Sequence, residues 1–304
     1  MINTPIKPFT RLALGLLSVV LMLGFYGWEV HQQKLKNPRD TSMPNLTQLR
    51  EGVHDIVKLN ERTGERWLVE DAKASLTRLS LGFLVGLAGA IVIGFAMGVW
   101  APAEAFLLPP ITLTNKLNPI AMLAVFFVLF GIETKMFVAI IAFVVMPSLA
   151  ITIHLAAKSD VPEELIHKAY TLGASHAEVI WDVVFKQVQP KLIEGIRLQL
   201  GPALVILVAA ELWVADVGFG YRIRLQSKLA HMNVVFVYVT LLAVMGYLAD
   251  LGLRKLLEWR YPYYTRAEEE EAFGPWATFK ALLGNEEPDS DQPPVKPVRA
   301  GEAA

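Results

Sequence analysis

Glu211 is a carboxylate set in an apolar run, Leu198–Val214, where the only other polar side chain is Gln199. A carboxylate in such surroundings must face the protein interior, take up a proton or pair with a cation. Enclosed in that way, it can lock its helix to neighbours by hydrogen bonds. No other reactive groups form a catalytic set. His154, His167 and His176 are scattered, no H-E-x-x-H spacing offers a metal site, and the absence of cysteine removes disulfides, thiolate metal sites and thiol nucleophiles. No G-x-x-x-x-G-K-[ST] loop is present to cradle nucleotide phosphates. The chain is expected to have no catalytic residue, no metal and no cofactor of its own.

The elements that must position Glu211 are membrane helices. The 304 residues are 54% hydrophobic with a mean hydropathy of +0.41, above the range of soluble domains. Leu79–Trp100 carries no charge and Met136–Ala157 has His154 as its only titratable group, each long enough for a hydrocarbon core of about 30 Å. Leu12–Val30 follows Lys7 and Arg11 and lacks an A-x-A-like cleavage site, so it reads as an uncleaved anchor. Leu198–Val214 and Val234–Leu253 are further spans. A sixth lies within Phe106–Gly131, its regular helix running from near Pro119 to near Gly131 because Pro109, Pro110 and Pro119 cannot donate backbone hydrogen bonds. The fold class expected is all-α integral membrane with about six transmembrane helices.

Basic residues set the orientation: Lys7 and Arg11 at one end, and Arg254, Lys255 and Arg260 at the other, place both termini in the cytoplasm. The chain then divides into a cytoplasmic start and anchor (1–30), a periplasmic segment (31–77), a core (78–260) with a cytoplasmic loop (158–197), and a cytoplasmic tail (261–304). The tail holds Glu268–Glu271 as a solvated face and turns polar and proline-rich from about Gly284. One loop fits poorly, since Tyr221–Asn233 carries Arg222, Arg224 and Lys228 yet comes out external. These cations are either held within the protein or attract an anion. Gly82 with Gly86, and Gly94 with Gly98, form small-x-x-x-small pairs that point to a tight bundle. A net charge of −1 suggests no nucleic-acid partner.

The cytoplasmic loop carries more order than a connector needs. Asp160 is placed to cap a helix with Pro162 and Glu163 in its first turn, and Leu165, Ile166, Ala169 and Leu172 follow at helical spacing up to Gly173. Ser175-His176-Ala177-Glu178 matches a capping box, after which Val179, Ile180, Val183, Val184 and Val188 continue an apolar face to Pro190. Three readings apply. A DNA-binding helix-turn-helix would have only His176 and Lys186 as cations over Ser175–Val188 and would be tethered between spans. Helices lying on the bilayer would explain the amphipathicity but not the hinge glycine. Insertion into a groove on a soluble partner uses both.

The stretch Glu164-Leu-Ile-His-Lys-Ala169-Tyr-Thr-Leu-Gly173-Ala-Ser175 resembles the EAA loop of ABC importer permeases. The likeness continues through Pro190–Gly201, Ala209-Ala-Glu211-Leu and Gly218-Phe-Gly220, and is similar to the nitrate, sulfonate and taurine branch. It implies a five-span permease core plus one N-terminal helix in the bacterial inner membrane, paired as a homodimer. It also implies an ABC ATPase subunit that binds ATP-Mg, and a periplasmic solute-binding protein. His167, Lys168, Ala169, Leu172, Gly173, Ala174, Ser175 and Glu178 would form the ATPase-coupling loop. The likeness also places Ala210-Glu211-Leu212 near the translocation path, which Glu211 would line or support with Asn118 and Trp213 as companions, the alternative being a hydrogen-bonded lock between helices. The sequence departs from the pattern at His167 and Lys168, which replace the acidic residue and first alanine of the triplet, and at Phe185-Lys186, where Leu-Pro often stands. The residues around Gly64–Trp67, Tyr170–His176 and Gly220–Ser227 look most like permeases associated with urea-carboxylase-type genes. The solute implied is a small anion such as nitrate, a sulfonate or taurine, or a urea or guanidine-type compound. A secondary transporter and an integral membrane enzyme are the alternatives.

Overall fold

The computed structural model describes residues 8–36, 42–58, 66–262 and 264; Lys7, Glu268–Glu271 and nearly all of the expected C-terminal tail lie outside them. The helices are α1 (Pro8–Lys36), α2 (Leu46–Val57), α3 (Trp67–Val99), α4 (Ala101–Lys116), α5 (Pro119–Phe130) and α6 (Thr134–Ser159). They are followed by α7 (Glu163–Thr171), a short α8 (His176–Glu178), a π-helical stretch Val179–Phe185, α9 (Lys186–Val214), α10 (Phe219–Lys228) and α11 (Met232–Arg260). No strand occurs among the described residues. The start of α1, up to Tyr26, belongs to one unit, and Gly27–Thr265 forms a second.

Among the described residues, five helical segments are long and apolar enough to cross a membrane, and α4 with α5 makes a sixth if the bent pair is counted as one span. The expected all-α membrane fold is thus observed.

The core of the second unit is the seam between α3 and α6. A Cβ added to Gly82 would meet Ile141 at 2.7 Å, one on Gly86 would meet Val145 at 3.0 Å, one on Gly94 would meet Ile153 at 2.7 Å and one on Gly98 would meet Ala157 at 2.6 Å. The contacts advance in step along both helices, so α3 and α6 run parallel. Lipid offers no hydrophobic drive between helices, and close backbone approach at small residues supplies the dispersion contacts that hold such a seam. Ile140, Ile141, Val145, Leu149 and Ile153 on α6 are fully buried there.

Parallel packing has a topological consequence. The chain leaves α3 at one face of the bundle and must enter α6 at the other, so α4 and α5 together return it across the membrane. Neither crosses alone, since 16 and 12 residues at 1.5 Å each give only about 24 and 18 Å against a core of about 30 Å. The regular helix anticipated from Pro119 to near Gly131 is α5, ended at Gly131 with φ +68°. Pro109 and Pro110, however, lie inside α4 instead of preventing it, and a 103° bend separates the two helices.

Other boundaries differ from the sequence reading. Helix α3 begins at Trp67, well before Leu79, so the stretch assigned to the periplasmic segment contains its first turns as well as α2. Asp160 ends α6 instead of opening α7: Pro162 takes the extended N-cap position, and Val161, which precedes a proline, is steered away from helix. Pro190 does not stop the loop's second helix, which runs unbroken from His176 to Val214 as one 39-residue segment. A wider π-helical turn lies just upstream, and burial of Val184, Val188 and Pro190 carries the helix past the missing donor.

The seam yields a mutational test. Gly94→Leu should lower the detergent-extracted protein's thermal stability by about 1–3 kcal/mol through overpacking against Ile153 and Ala150. Gly252→Ala, where no atom lies within 4 Å, should be neutral or slightly stabilising.

Candidate functional site

Two constellations occupy opposite ends of the bundle. At the end where α3 starts and α9 finishes, Glu211 is fully buried. Ser75 donates to both its oxygens at 2.8 and 2.9 Å, Arg78 Nη1 donates to Oε1 at 2.9 Å, and the Gly220 N–H donates to Oε2 at 2.9 Å. The same Nη1 donates to the Val217 carbonyl at 2.7 Å, and the guanidinium lies over the Phe137 ring at 4.2 Å. Glu211 therefore ties α9 to α3 and α10.

Beside it stands a second ion pair. Asp71, also fully buried, accepts from Arg222 Nε at 2.8 Å, Tyr238 Oη at 2.7 Å and the Gly218 N–H at 3.1 Å. Arg222 stacks over Trp67 at 4.6 Å. Burial alone would lower the Arg222 pKa, but the hydrogen bond and charge of Asp71 outweigh it and hold the guanidinium above its ordinary value. The backbone N–H groups opening α10 are shared out among these partners, with Phe219 N–H donating to Ser75 Oγ at 2.9 Å. Free N–H groups at a helix start favour anionic acceptors, and here two carboxylates supply them.

Glycine is required in this turn. Gly218 has φ +129°, and a Cβ there would lie 2.5 Å from Glu211 Oε1; one on Gly220 would lie 2.6 Å from the Glu211 Cβ. The poorly fitting cations of Tyr221–Asn233 separate by role. Arg222 is held in the ion pair, and Arg224 donates to the carbonyls of Leu212, Trp213 and Ala215 at the end of α9, whereas Lys228 is exposed. Asp71, Ser75 and Arg78 were not singled out beforehand, although Trp67, Asp71, Ser75 and Arg78 recur at helical spacing as a polar face on an apolar helix.

Trp213 is 62% exposed and points away from this network. Asn118 lies elsewhere, at the α4–α5 bend, where its side chain accepts from the Ile120 N–H at 3.0 Å and caps α5. The structure thus does not gather Glu211, Asn118 and Trp213 into one place.

At the other end, the loop is ordered by its own side chains. Ser175 and Glu178 form the capping box, Glu178 accepting from the Ser175 N–H at 2.7 Å. Tyr170 and His176 are hydrogen-bonded at 2.6 Å across the hinge, where Gly173 takes φ +85°. Trp181 stacks flat on Phe185 at 4.6 Å, and Phe185 meets Phe95 of α3 at 5.4 Å. His167, Lys168, Ser175 and Glu178 are exposed, Ala169 and Ala174 are half-buried, and Leu172 is 88% exposed. A stiff turn thus presents apolar Leu172 and Trp181 to the exterior, and its helix runs without a break into α9.

An α-helical bundle with parallel core helices, a broken span and an amphipathic loop at one end is the architecture of a multi-span membrane protein. The chain belongs to the binding-protein-dependent transport system inner membrane component family, whose profile matches residues 83–258, and so is a permease of the ABC importer type. It is 29% identical over 260 residues to the taurine transport system permease protein TauC of Escherichia coli (strain K12), covering 86% of this chain and 92% of the relative. It is 31% identical over 193 residues to the putative aliphatic sulfonates transport permease protein SsuC of Bacillus subtilis (strain 168), covering 62% and 70%. Among solved structures, the inward-facing MetNI methionine ABC transporter matches with a TM-score of 0.54 at 16% identity, over 63% of this chain and 95% of that one. That likeness supports the fold.

The buried pairs make a quantitative prediction. Arg222→Met leaves Asp71 buried and uncompensated, and should destabilise the folded protein by about 3–5 kcal/mol. Adding Asp71→Leu should recover part of that loss, as read from thermal melts of the detergent-purified variants.

Proposed function

We propose that this chain is the membrane subunit of an ATP-driven importer of small oxyanions, two copies of which enclose the path. The observation that carries the mechanism is the stiff loop at one end of the bundle. Leu172 and Trp181 offer apolar anchors to a groove on an ATPase subunit, which holds the ATP-Mg. A push on this turn is delivered along one continuous helix, His176–Val214, whose far end is bolted to α3 and α10 through Glu211.

Movement of α9 then has a fixed fulcrum at the outer end. In this arrangement Glu211 supports the path from behind, while Asn118 and Trp213 face it. Both termini lie in the cytoplasm with the loop, and the opposite end, with α2, faces the periplasm, where a solute-binding protein delivers its cargo.

The solute class follows from charge and from kinship. Glu211 is paired with Arg78 and enclosed, so it provides no free interior carboxylate to favour a guanidine-type cation, and a urea-type solute gains no support from it. TauC and SsuC are named for taurine and aliphatic sulfonates, which both carry a sulfonate group. A small sulfonate or similar oxyanion is the reading favoured.

The loop variants Gly173→Pro and Ala174→Trp test the coupling. Both should insert and fold, because neither residue is in the core, yet ATP-driven uptake should fall to background. Uptake at the unaltered rate in either well-expressed variant would contradict the coupling role.

A further inference from the structure

The bend between α4 and α5 raises a problem that the bundle itself does not solve. Because α3 and α6 run parallel, the bend occurs within the return crossing, at membrane depth. Irregular backbone at that depth is tolerated only where it is buried in protein or lines a water-filled cavity. Here Asn115, Lys116, Leu117 and Asn118 are all exposed on the chain. Lys116 has no ion-pair or hydrogen-bond partner among the described residues. An unpaired ammonium between two apolar helix halves is not a lipid-facing group.

A cavity of about 200 Å³ opens at the same place, lined by Thr114, Asn115, Ser148 and Gln199 among others. Ser148 lies roughly midway along α6. Gln199 Nε2 donates to Ser148 Oγ at 2.7 Å, leaving the second amide hydrogen and the amide oxygen of Gln199 unused. The polar part of the lining is therefore neutral hydrogen-bond donors and acceptors, with Leu117, Phe143 and Val144 as apolar walls, and Lys116 stands beside the cavity between its lining residues Asn115 and Leu117.

We infer that the α4–α5 bend is a solute-contact site inside the membrane, where Lys116 attracts a small oxyanion and the amides of Asn115 and Gln199 complete its hydrogen bonds. This deepens the import reading above and rests on it for the direction of travel. Lys116 is the specificity-determining residue: a single positive charge beside neutral donors favours a monoanion over a neutral or cationic compound of the same size.

The absence of cysteine allows a test that does not depend on ATP. Asn115→Cys and, as a second reporter, Leu117→Cys would be made in the full chain and probed in native membranes. The two thiol reagents are water-soluble methanethiosulfonates of similar size, one ending in a sulfonate and the other in a quaternary ammonium. Both reporters should react, and the anionic reagent should be preferred about fivefold or more, the effect expected of one nearby charge in a hydrated site. Lys116→Gln should abolish that preference and Lys116→Arg should keep it, and ethanesulfonate should slow the labelling. Silence of both reporters, or a preference unaffected by Lys116→Gln, would overturn the assignment. Failure of the import reading would appear separately, as normal labelling in a chain whose uptake does not require ATP.

Discussion

The ion pairs Asp71–Arg222 and Glu211–Arg78 meet at one helix start, and much of the bundle's geometry follows from them. Charges removed from water must be matched closely or the structure that buries them is lost. The matching here draws on α3, α9, α10 and α11, so these elements converge on a common anchor. Gly218 and Gly220 provide the clearance, and Tyr238 and Trp67 close the remaining sides. That end of the bundle is thereby its rigid end.

Rigidity at one end gives meaning to the loop at the other. A lever transmits displacement only if one end is fixed and the shaft is unbroken. The segment His176–Val214 passes Pro190 and Pro202 without interruption and ends in the Glu211 network. Close to the loop, the shaft is steadied by Tyr261 hydrogen-bonded to Gln189, by Tyr264 on Glu194 and by Arg197 paired with Asp250 at 2.8 Å. The broken span stands beside this lever, where a tilt of α9 would alter the cavity that Gln199 lines.

Much of this was legible from the residues, though unevenly. The glycine pairs of α3 announced a close seam because their spacing is local, and the capping box at Ser175 needed only four residues to be read. Glu211 announced itself as buried, but its partner Ser75 lies 136 positions away, and spacing carries no information about that distance. What hid the network was the start of α3: the apolar run begins at Leu79, so Trp67, Asp71 and Ser75 looked like part of an external extension. Pro190 misled for the opposite reason, since a local rule for ending helices was overridden by packing around the π-helical turn.

Purification of the tagged full chain from its native membrane in mild detergent, with identification of the chains that accompany it and a nucleotide-hydrolysis assay, tests the central claim most directly. The account predicts recovery of a separate ATPase carrying a G-x-x-x-x-G-K-[ST] loop, with hydrolysis in the purified complex. Recovery of this chain alone in several detergents, with uptake driven by an ion gradient instead of ATP, would contradict it.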